Sequence, residues 1–288
     1  MTADGRGGDD AGMYRDDKGR PTRADPETQQ KAKDEETLDA AATHEVVRIE
    51  AEKELERTAS ALAWSGLAAG LAMGFSFVTE GVLRSKLPDA DWRPLIAKLG
   101  YPVGFLIVIL GSQQLYTENT LEPMVPLFSE PTRDRFMKVA RLWGIVLLAN
   151  VVGTVLFSLM MAKTSVFDEK LKAAFLAIGL EAIEPTAGTL FLKAIFAGML
   201  IALMVWMLPA AKTAHIWVIT IITWLVGAAG LAHVIVGSVE TSYLMWAGAA
   251  SVGTWLWHFM LPTLLGNTLG GVGLVAIINH MQVASGKS

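Results

Sequence analysis

Hydrophobic residues are distributed unevenly along this chain of 288 residues. Residues 1–33 are rich in Gly, Asp, Arg, Pro and Gln and have almost no large apolar side chains. Such a segment cannot bury enough apolar surface to offset the entropy lost on ordering, so it is predicted to be disordered. Residues 34–59 are dense in Glu, Ala and Leu, and their apolar positions recur at loose helical intervals. They predict an amphipathic helix at a membrane surface, leading into a first span that is not cleaved.

The remaining part, residues 60–283, contains six long apolar runs. Each is about long enough to cross a hydrocarbon core of about 30 Å at 1.5 Å per helical residue. The runs cover roughly residues 60–83, 101–128, 142–161, 190–210, 216–236 and 255–278. An even number of spans places both termini on one side of the membrane. The basic cluster between Arg133 and Arg141 favours the cytoplasmic side. The pattern predicts an all-α membrane protein with six transmembrane helices.

The second apolar run is interrupted by polar residues. Its first ten residues are apolar or small, but the stretch from Gly111 to Asn119 is mostly polar, and Pro123 and Pro126 follow. In hydrocarbon an unpaired backbone group costs several kcal/mol, so a break in a spanning helix persists only inside protein or beside a water-filled cavity. A broken span with polar residues at the break predicts a transport site.

The two halves of the spanning region resemble each other. Asn150 begins the sequence NVVG in the third span, and Asn267 begins NTLG in the sixth, 117 residues later. The same offset carries Thr117, at the first break, to a position beside His233 in the fifth span. This pattern predicts two inverted three-helix repeats with broken second and fifth helices. Chance recurrence of N-x-x-G among small residues is the alternative.

Several polar residues in these spans are candidates for a transport path. Ionisable groups within a membrane are costly and usually line a pathway, and His233, with an ordinary pKa of about 6.5, could exchange protons there. Thr117 and Asn119 offer polar groups at the first break, or they only satisfy freed backbone groups. Lys193 could meet an arriving anion or extend to the membrane interface. Glu118 would repel anions unless it is neutral, paired or turned away.

Composition excludes several other classes of function. The net charge of −4 gives no basic footprint for nucleic acid, and the absence of cysteine excludes thiolate chemistry and disulfides. Nucleotide-binding and hydrolase motifs are absent, and the histidines lack the spacing of metal ligands. The sequence therefore predicts no enzyme and no cofactor.

Four short strings together resemble the formate/nitrite transporter family. They are QLYTENTL at the first break, FLKAIFAGMLIALMVWM in the fourth span, AGLAHV in the fifth and PTLLGNTLGG in the sixth. The resemblance implies a homopentamer of aquaporin-like protomers in the inner membrane. Each protomer would carry its own pore for small monovalent anions such as formate or nitrite, and both termini would be cytoplasmic.

The resemblance also implies roles for individual residues. His233 would be the central pore histidine, and Thr117 its partner across the pore. Lys193 would guard the outer vestibule. Leu115 and Tyr116 would form the constriction on the cytoplasmic side. Asn267 would be the asparagine of the sixth-span motif.

The chain departs from the family pattern at four positions, one of which is Gln114, where an acidic residue is common. Glu118 stands where the family has glycine, whereas Gly198 and Gly237 stand where it has asparagine. Three hypotheses follow. The first is a proton-linked channel or transporter for small weak-acid anions. The second is a channel for water or small neutral solutes, widened by the two glycines. The third is a non-conducting scaffold or sensor, sealed at Tyr116 and plugged by Glu118.

Overall fold

The computed structural model describes residues 14–15, 18–22, 38–278 and 281, and the chain divides into two compact units, Met1–Asp39 and Ala40–Ser288. In the first unit, β1 (Tyr14–Arg15) and β2 (Pro21–Thr22) pair as an antiparallel hairpin. Gly19 has a φ of 72° in the turn between them, a conformation that glycine adopts without steric cost. Most of the predicted disordered tail, residues 1–33, lies outside the described residues.

The described residues of the second unit form helices joined by turns and short loops. Its α-helices are α1 Ala40–Leu55, α2 Ala59–Lys86, α3 Arg93–Ala97, α4 Pro102–Leu110, α5 Met124–Ser129, α6 Arg133–Lys163, α7 Glu169–Ile183, α8 Ala187–Ala211, α9 His215–Ala228, α10 Val234–Ala247 and α11 Leu261–Thr268. Short 3-10 turns lie at Lys98–Gly100, Glu118–Thr120 and Lys212–Ala214. The π-helical segments Thr254–Met260 and Leu269–Ala276 flank α11, and we call the three segments together the last helix.

Four stretches of the described chain are long and apolar enough to cross a membrane: Ala59–Lys86, Arg93–Leu110, Arg133–Lys163 and Ala187–Ala228. Large apolar side chains on these stretches, such as Leu148, Phe196 and Trp217, lie on the outside of the unit. In water such a surface would be unfavourable, but it suits contact with lipid tails or with other subunits. The chain is a multi-pass membrane protein.

Polar side chains set the start of the long helices. An N-cap oxygen accepts a hydrogen bond from a backbone amide of the first turn, which otherwise has no partner. Thr132 accepts from the amide of Arg135 at the start of α6. The same arrangement begins three other helices, with the caps Thr58 for α2, Asp168 for α7 and Thr186 for α8.

Two regions of the fold differ from the predicted spans. Helix α7 was not anticipated, because the charged residues at its start lower its hydropathy, yet Phe175 and Ile178 on it are buried in a second apolar cluster. The fifth span continues through α10 to Ala247, beyond the predicted end at Val236. The polar residues of that extension, such as Ser238 and Ser242, are buried within protein. Hydropathy therefore underestimated the length of this span.

Glycines bring two pairs of helices into close contact. A Cβ added at Gly70 on α2 would overlap the backbone of Asn150 on α6. A Cβ added at Gly198 on α8 would overlap the backbone of Asn267 on the last helix. Small residues at such crossings let backbones approach closely, which is the main source of helix association in membranes.

We expect Gly198→Ala to lower the free energy of unfolding by about 1–3 kcal/mol, the usual cost of overpacking. The matched control is Gly144→Ala on α6, because a Cβ there meets no atom within 4 Å. Thermal unfolding of the two purified variants in detergent measures the difference. Equal unfolding temperatures would contradict the close packing of α8 on the last helix.

Candidate functional site

Two interruptions of the helices meet inside the unit. The chain leaves α4 at Leu110 and enters α5 at Met124, and it leaves α9 at Ala228 and enters α10 at Val234. At the meeting point, Thr117 Oγ1 lies 2.8 Å from His233 Nε2, although the residues are 116 positions apart. The structure therefore brings together the two side chains that the sequence pattern pairs.

The first interruption is held by the side chain of Asn150 on α6. Its Oδ1 accepts a hydrogen bond from the amide of Tyr116 at 2.9 Å. Its Nδ2 donates to the carbonyls of Gly66 at 2.7 Å and Gln114 at 2.9 Å. One buried amide group thus satisfies two backbone groups of the break and ties them to the backbone of α2.

Asn267 on the last helix holds the second interruption in the same way. Its Oδ1 accepts from the amide of Val234 at 2.8 Å, and its Nδ2 donates to the carbonyls of Ala194 at 2.8 Å and Ala232 at 2.9 Å. The two asparagines have equivalent roles, as the N-x-x-G repeat suggested. The inverted orientation of the two halves stays a prediction. Asn267 lines neither of the two cavities described below.

His233 is fixed as a neutral hydrogen-bond donor at Nε2. It is the N-cap of α10, and its Nδ1 accepts a hydrogen bond from the amide of Val236 at 3.3 Å. Because an accepting Nδ1 carries no hydrogen, the ring hydrogen is on Nε2 and is donated to Thr117. The imidazole is 1% exposed, and Phe105 packs edge-on at 5.0 Å between ring centroids. The hydroxyl hydrogen of Thr117 then remains available for another acceptor.

Two cavities lie at opposite ends of the same helices. The histidine cavity, of about 270 Å³, is lined by His233 together with the start of α8 and the end of α9. The acidic cavity, of about 500 Å³, is lined by the end of α8, the start of α9 and four carboxylates, Glu50, Glu54, Glu118 and Glu122. A path between the two cavities would run along the break region.

Lys193 lies in the histidine cavity with His233, where the resemblance placed a basic residue. Within the described chain, no hydrogen bond or ion pair engages its ammonium group. Sequence reasoning missed three other charged residues of this cavity, Lys98, Glu181 and Glu240. Lys98 lies before the predicted second span, and Glu240 lies beyond the predicted end of the fifth. A search for charged residues inside the predicted spans therefore finds neither residue.

A buried ion pair adjoins the histidine cavity. Lys98 Nζ lies 2.5 Å from Glu80 Oε1, and Glu80 is 1% exposed. The second carboxylate oxygen of Glu80 has no hydrogen-bond partner within the described residues. At the rim, Arg84 pairs with Glu181 at 2.6 Å. Carboxylates and ammonium groups thus share this end of the molecule.

Glu118 belongs to the acidic cavity and does not take part in the contact between Thr117 and His233. Its Oε1 is buried and has no hydrogen-bond partner within the part of the chain that the structure describes. Asn119 turns away from the histidine, since its Nδ2 donates to Gln114 Oε1 at 2.9 Å. Gln114 in turn donates to Glu54 of α1 at 2.7 Å. The polar residues of the first break therefore connect to α1.

Leu115 and Tyr116 are both buried and line neither cavity. The Tyr116 hydroxyl lies 2.9 Å from Thr268 Oγ1, and its ring packs edge-on against Trp143 at 6.0 Å between centroids. Both residues lie in the break beside Thr117, between the lining residues of the two cavities. Their role as a constriction stays a prediction.

The two glycines that replace family asparagines do not widen a pore. A Cβ at Gly237 would overlap the ring of Phe259, so this ring fills the space beside α10. The space beside Gly198 is occupied by the backbone of Asn267. The neutral-solute hypothesis loses the observation on which it depended. Among the described residues, no three His, Asp or Glu side chains are grouped as metal ligands.

Comparisons with known proteins agree with this arrangement. The family model described as formate/nitrite transporter matches residues 41–281. Inner membrane protein YfdC of Escherichia coli (strain K12) is 40% identical over 249 residues, which cover 86% of this chain and 80% of that protein. Uncharacterized transporter YrhG of Bacillus subtilis (strain 168) is 24% identical over 229 residues, covering 72% and 80% respectively.

Two solved structures share the fold. A pentameric formate channel with formate bound superposes with a TM-score of 0.65 at 20% identity, covering 82% of this chain and 99% of the channel. An ion channel of the FNT family superposes with a TM-score of 0.67 at 21% identity, covering 84% and 96%.

Proposed function

Because the chain belongs to the formate/nitrite transporter family, and is therefore a transporter or channel and not an enzyme, we propose that it conducts small monovalent weak acids. Formate and nitrite are the reference substrates. We further propose a homopentamer in the inner membrane with cytoplasmic termini. The pentamer is suggested by the formate channel of the same fold, and the location by the name of the relative from Escherichia coli.

The observation that carries the proposal is the contact between Thr117 and His233 at the meeting point of two broken helices. Moving a bare anion through a low-dielectric barrier is very costly, whereas its neutral acid crosses at a much smaller cost. Lys193 raises the local anion concentration in the histidine cavity. A proton taken from cavity water by way of His233 then converts the anion to the neutral acid, and the Thr117 hydroxyl donates a hydrogen bond to the passing molecule.

The test is flux into proteoliposomes that contain the full chain. Formate or nitrite is added outside, and an entrapped pH-sensitive dye reports the entry of acid. We expect weak-acid entry well above that of protein-free liposomes, together with acidification of the lumen. Entry of formamide, a neutral molecule of similar size, without entry of weak acids would instead support a neutral-solute channel. Absence of both fluxes would support the non-conducting scaffold.

The acidic cavity gives a prediction about rate. Glu50 is an exposed carboxylate that lines the acidic cavity and repels an anion approaching from this side, so Glu50→Gln should raise formate flux severalfold at low ionic strength. The gain should shrink as salt screens the charge over a Debye length of about 10 Å at 0.1 M. The matched control is Glu169→Gln, which lies on α7 and lines a different, open surface cavity. A lower flux in Glu50→Gln would contradict a purely repulsive role.

A further inference from the structure

The histidine cavity contains a second group that can exchange protons, the carboxyl of Glu240. His233 caps α10, and Gly237 and Glu240 follow four and seven residues later, on the same face of the helix. All three line the cavity. At 1.5 Å per residue, Glu240 lies about 10 Å along the helix axis from His233. This separation exceeds a hydrogen bond but can be spanned by water or by a bound acid.

Glu240 is 7% exposed and lines the histidine cavity. No hydrogen bond or ion pair from residues 38–278 reaches its carboxylate. A buried ionised carboxylate without a partner is costly. A group placed in this way is stabilised when it takes up a proton or when it meets a donor in the cavity.

The surrounding charges act in both directions: an ammonium group favours the ionised carboxylate, and two carboxylates favour uptake of a proton. The charged side chains that act on Glu240 are Lys98, Glu80 and Glu181. Lys98 is already paired with Glu80 at 2.5 Å, and Glu181 with Arg84 at 2.6 Å. Two carboxylates, Glu80 and Glu240, therefore share one ammonium group. One proton on the carboxyl that faces the cavity balances the charge of this trio.

Among the other residues that line the cavity, Lys193 is charged, and its positive charge is offset when it binds an anion. On the 3-10 turn and α4 side, Tyr101 contributes a neutral phenol to the cavity. On the last helix, Phe259 contributes an apolar ring, and Lys193 on α8 faces the same cavity without an ion pair in the described chain. Lys193 can thus hold an anion while Glu240 holds its proton.

We propose that Glu240 is the proton-exchange residue of the histidine cavity, a proposal that rests on the weak-acid function above. A neutral acid that arrives from the break gives its proton to a carboxylate oxygen of Glu240. The O–H bond of the acid breaks, its electron pair stays on the acid, and an O–H bond forms on Glu240. The anion remains near Lys193, and the proton then passes to cavity water. Entry from this side follows the same steps in reverse.

The test compares formate flux in proteoliposomes of the full chain between wild type and Glu240→Gln over a range of pH. Glutamine keeps the shape of the side chain but cannot exchange a proton. We expect flux to fall about tenfold or more and its pH dependence to flatten, because proton transfer by a placed group contributes a factor of at least this size. Formamide entry should stay unchanged, since a neutral solute needs no proton.

The matched control is Glu169→Gln, which removes a carboxylate on α7 that lines a different, open surface cavity. It should leave the pH profile in place. If wild type carries formate and Glu240→Gln has the same pH profile, the role of Glu240 is wrong and the proposed function stands. If formate and formamide fluxes fall equally in Glu240→Gln, its role is structural and the proposal is wrong. If wild type carries no weak acid, both proposals fail.

A second variant keeps the test valid if Glu240→Gln does not assemble. Glu240→Asp retains the carboxyl but withdraws it from the cavity by one methylene. We expect formate flux to persist with a displaced midpoint of its pH profile. An unchanged midpoint would overturn the assignment, as would formate flux that falls together with formamide entry.

Discussion

Replacing His233 with glutamine should lower weak-acid flux by about 100-fold or more, the low end of what a positioned proton donor contributes. Glutamine can still donate a hydrogen bond to Thr117, so the contact at 2.8 Å has a substitute. It cannot give up and regain a proton, and the anion would have to cross the barrier in its charged form. Formate flux and formamide entry into proteoliposomes, measured together, separate loss of proton exchange from collapse of the pore.

The control for this variant is His258→Gln. The ring of His258 lies in the last helix and lines neither cavity. Its Nε2 lies 3.0 Å from the carbonyls of Ile183 and Pro185, so it can join the last helix to the end of α7. We expect its flux to match that of wild type. Formate flux of the wild-type size in His233→Gln would overturn the role of the histidine.

Removing either break-holding asparagine should produce the largest loss of stability. Asn150→Ala deletes three hydrogen bonds and leaves the Tyr116 amide and the Gln114 carbonyl of the break without this partner inside the protein. Each buried unpaired group costs about 1–3 kcal/mol, so a total loss of about 2 kcal/mol or more is expected. Asn267→Ala should have an effect of the same size at the second break. Thermal unfolding in detergent and the yield of assembled oligomer measure both.

Thr154→Val on α6 is the control for loss of a single buried hydroxyl. Thr154 Oγ1 donates to the carbonyl of Val151 within its own helix and lies 3.0 Å from Ser238 Oγ. Its loss should cost about 1 kcal/mol, the usual net value of one hydrogen bond. If the asparagine variants unfold at the temperature of Thr154→Val, the breaks do not depend on their side chains.

The sequence was informative about the breaks because the physical constraint there is local. A polar stretch such as Gly111 to Asn119 within an apolar run has few stable solutions in a membrane. The repeat offset then related Thr117 to a position beside His233, and the structure has the two side chains in contact. The N-x-x-G repeat also indicated Asn150, whose role in holding the first break became visible only from its hydrogen bonds.

The sequence was less informative about buried polar residues outside the predicted spans. Helix α7 and the extension of α10 pack against other helices. A polar residue there can meet a polar partner from another helix, whereas a hydropathy scale counts every polar residue as unfavourable. Glu240, on the extension of α10, lines the histidine cavity together with Lys98 of the 3-10 turn before α4. The two glycines at family asparagine positions suggested open space, but Phe259 and the backbone at Asn267 occupy it.

By itself the sequence determined an all-helical, multi-pass membrane protein of a recognisable family, with its polar breaks and the histidine among its apolar runs. These properties follow from the free-energy cost of placing an unpaired backbone group or a charge in hydrocarbon. That cost can be assessed from each stretch of sequence without knowing its contacts. Only the tertiary structure decided which charges share a cavity, which tautomer His233 adopts and where Glu118 lies. Those properties depend on contacts between residues far apart in the chain, and no local pattern specifies such contacts.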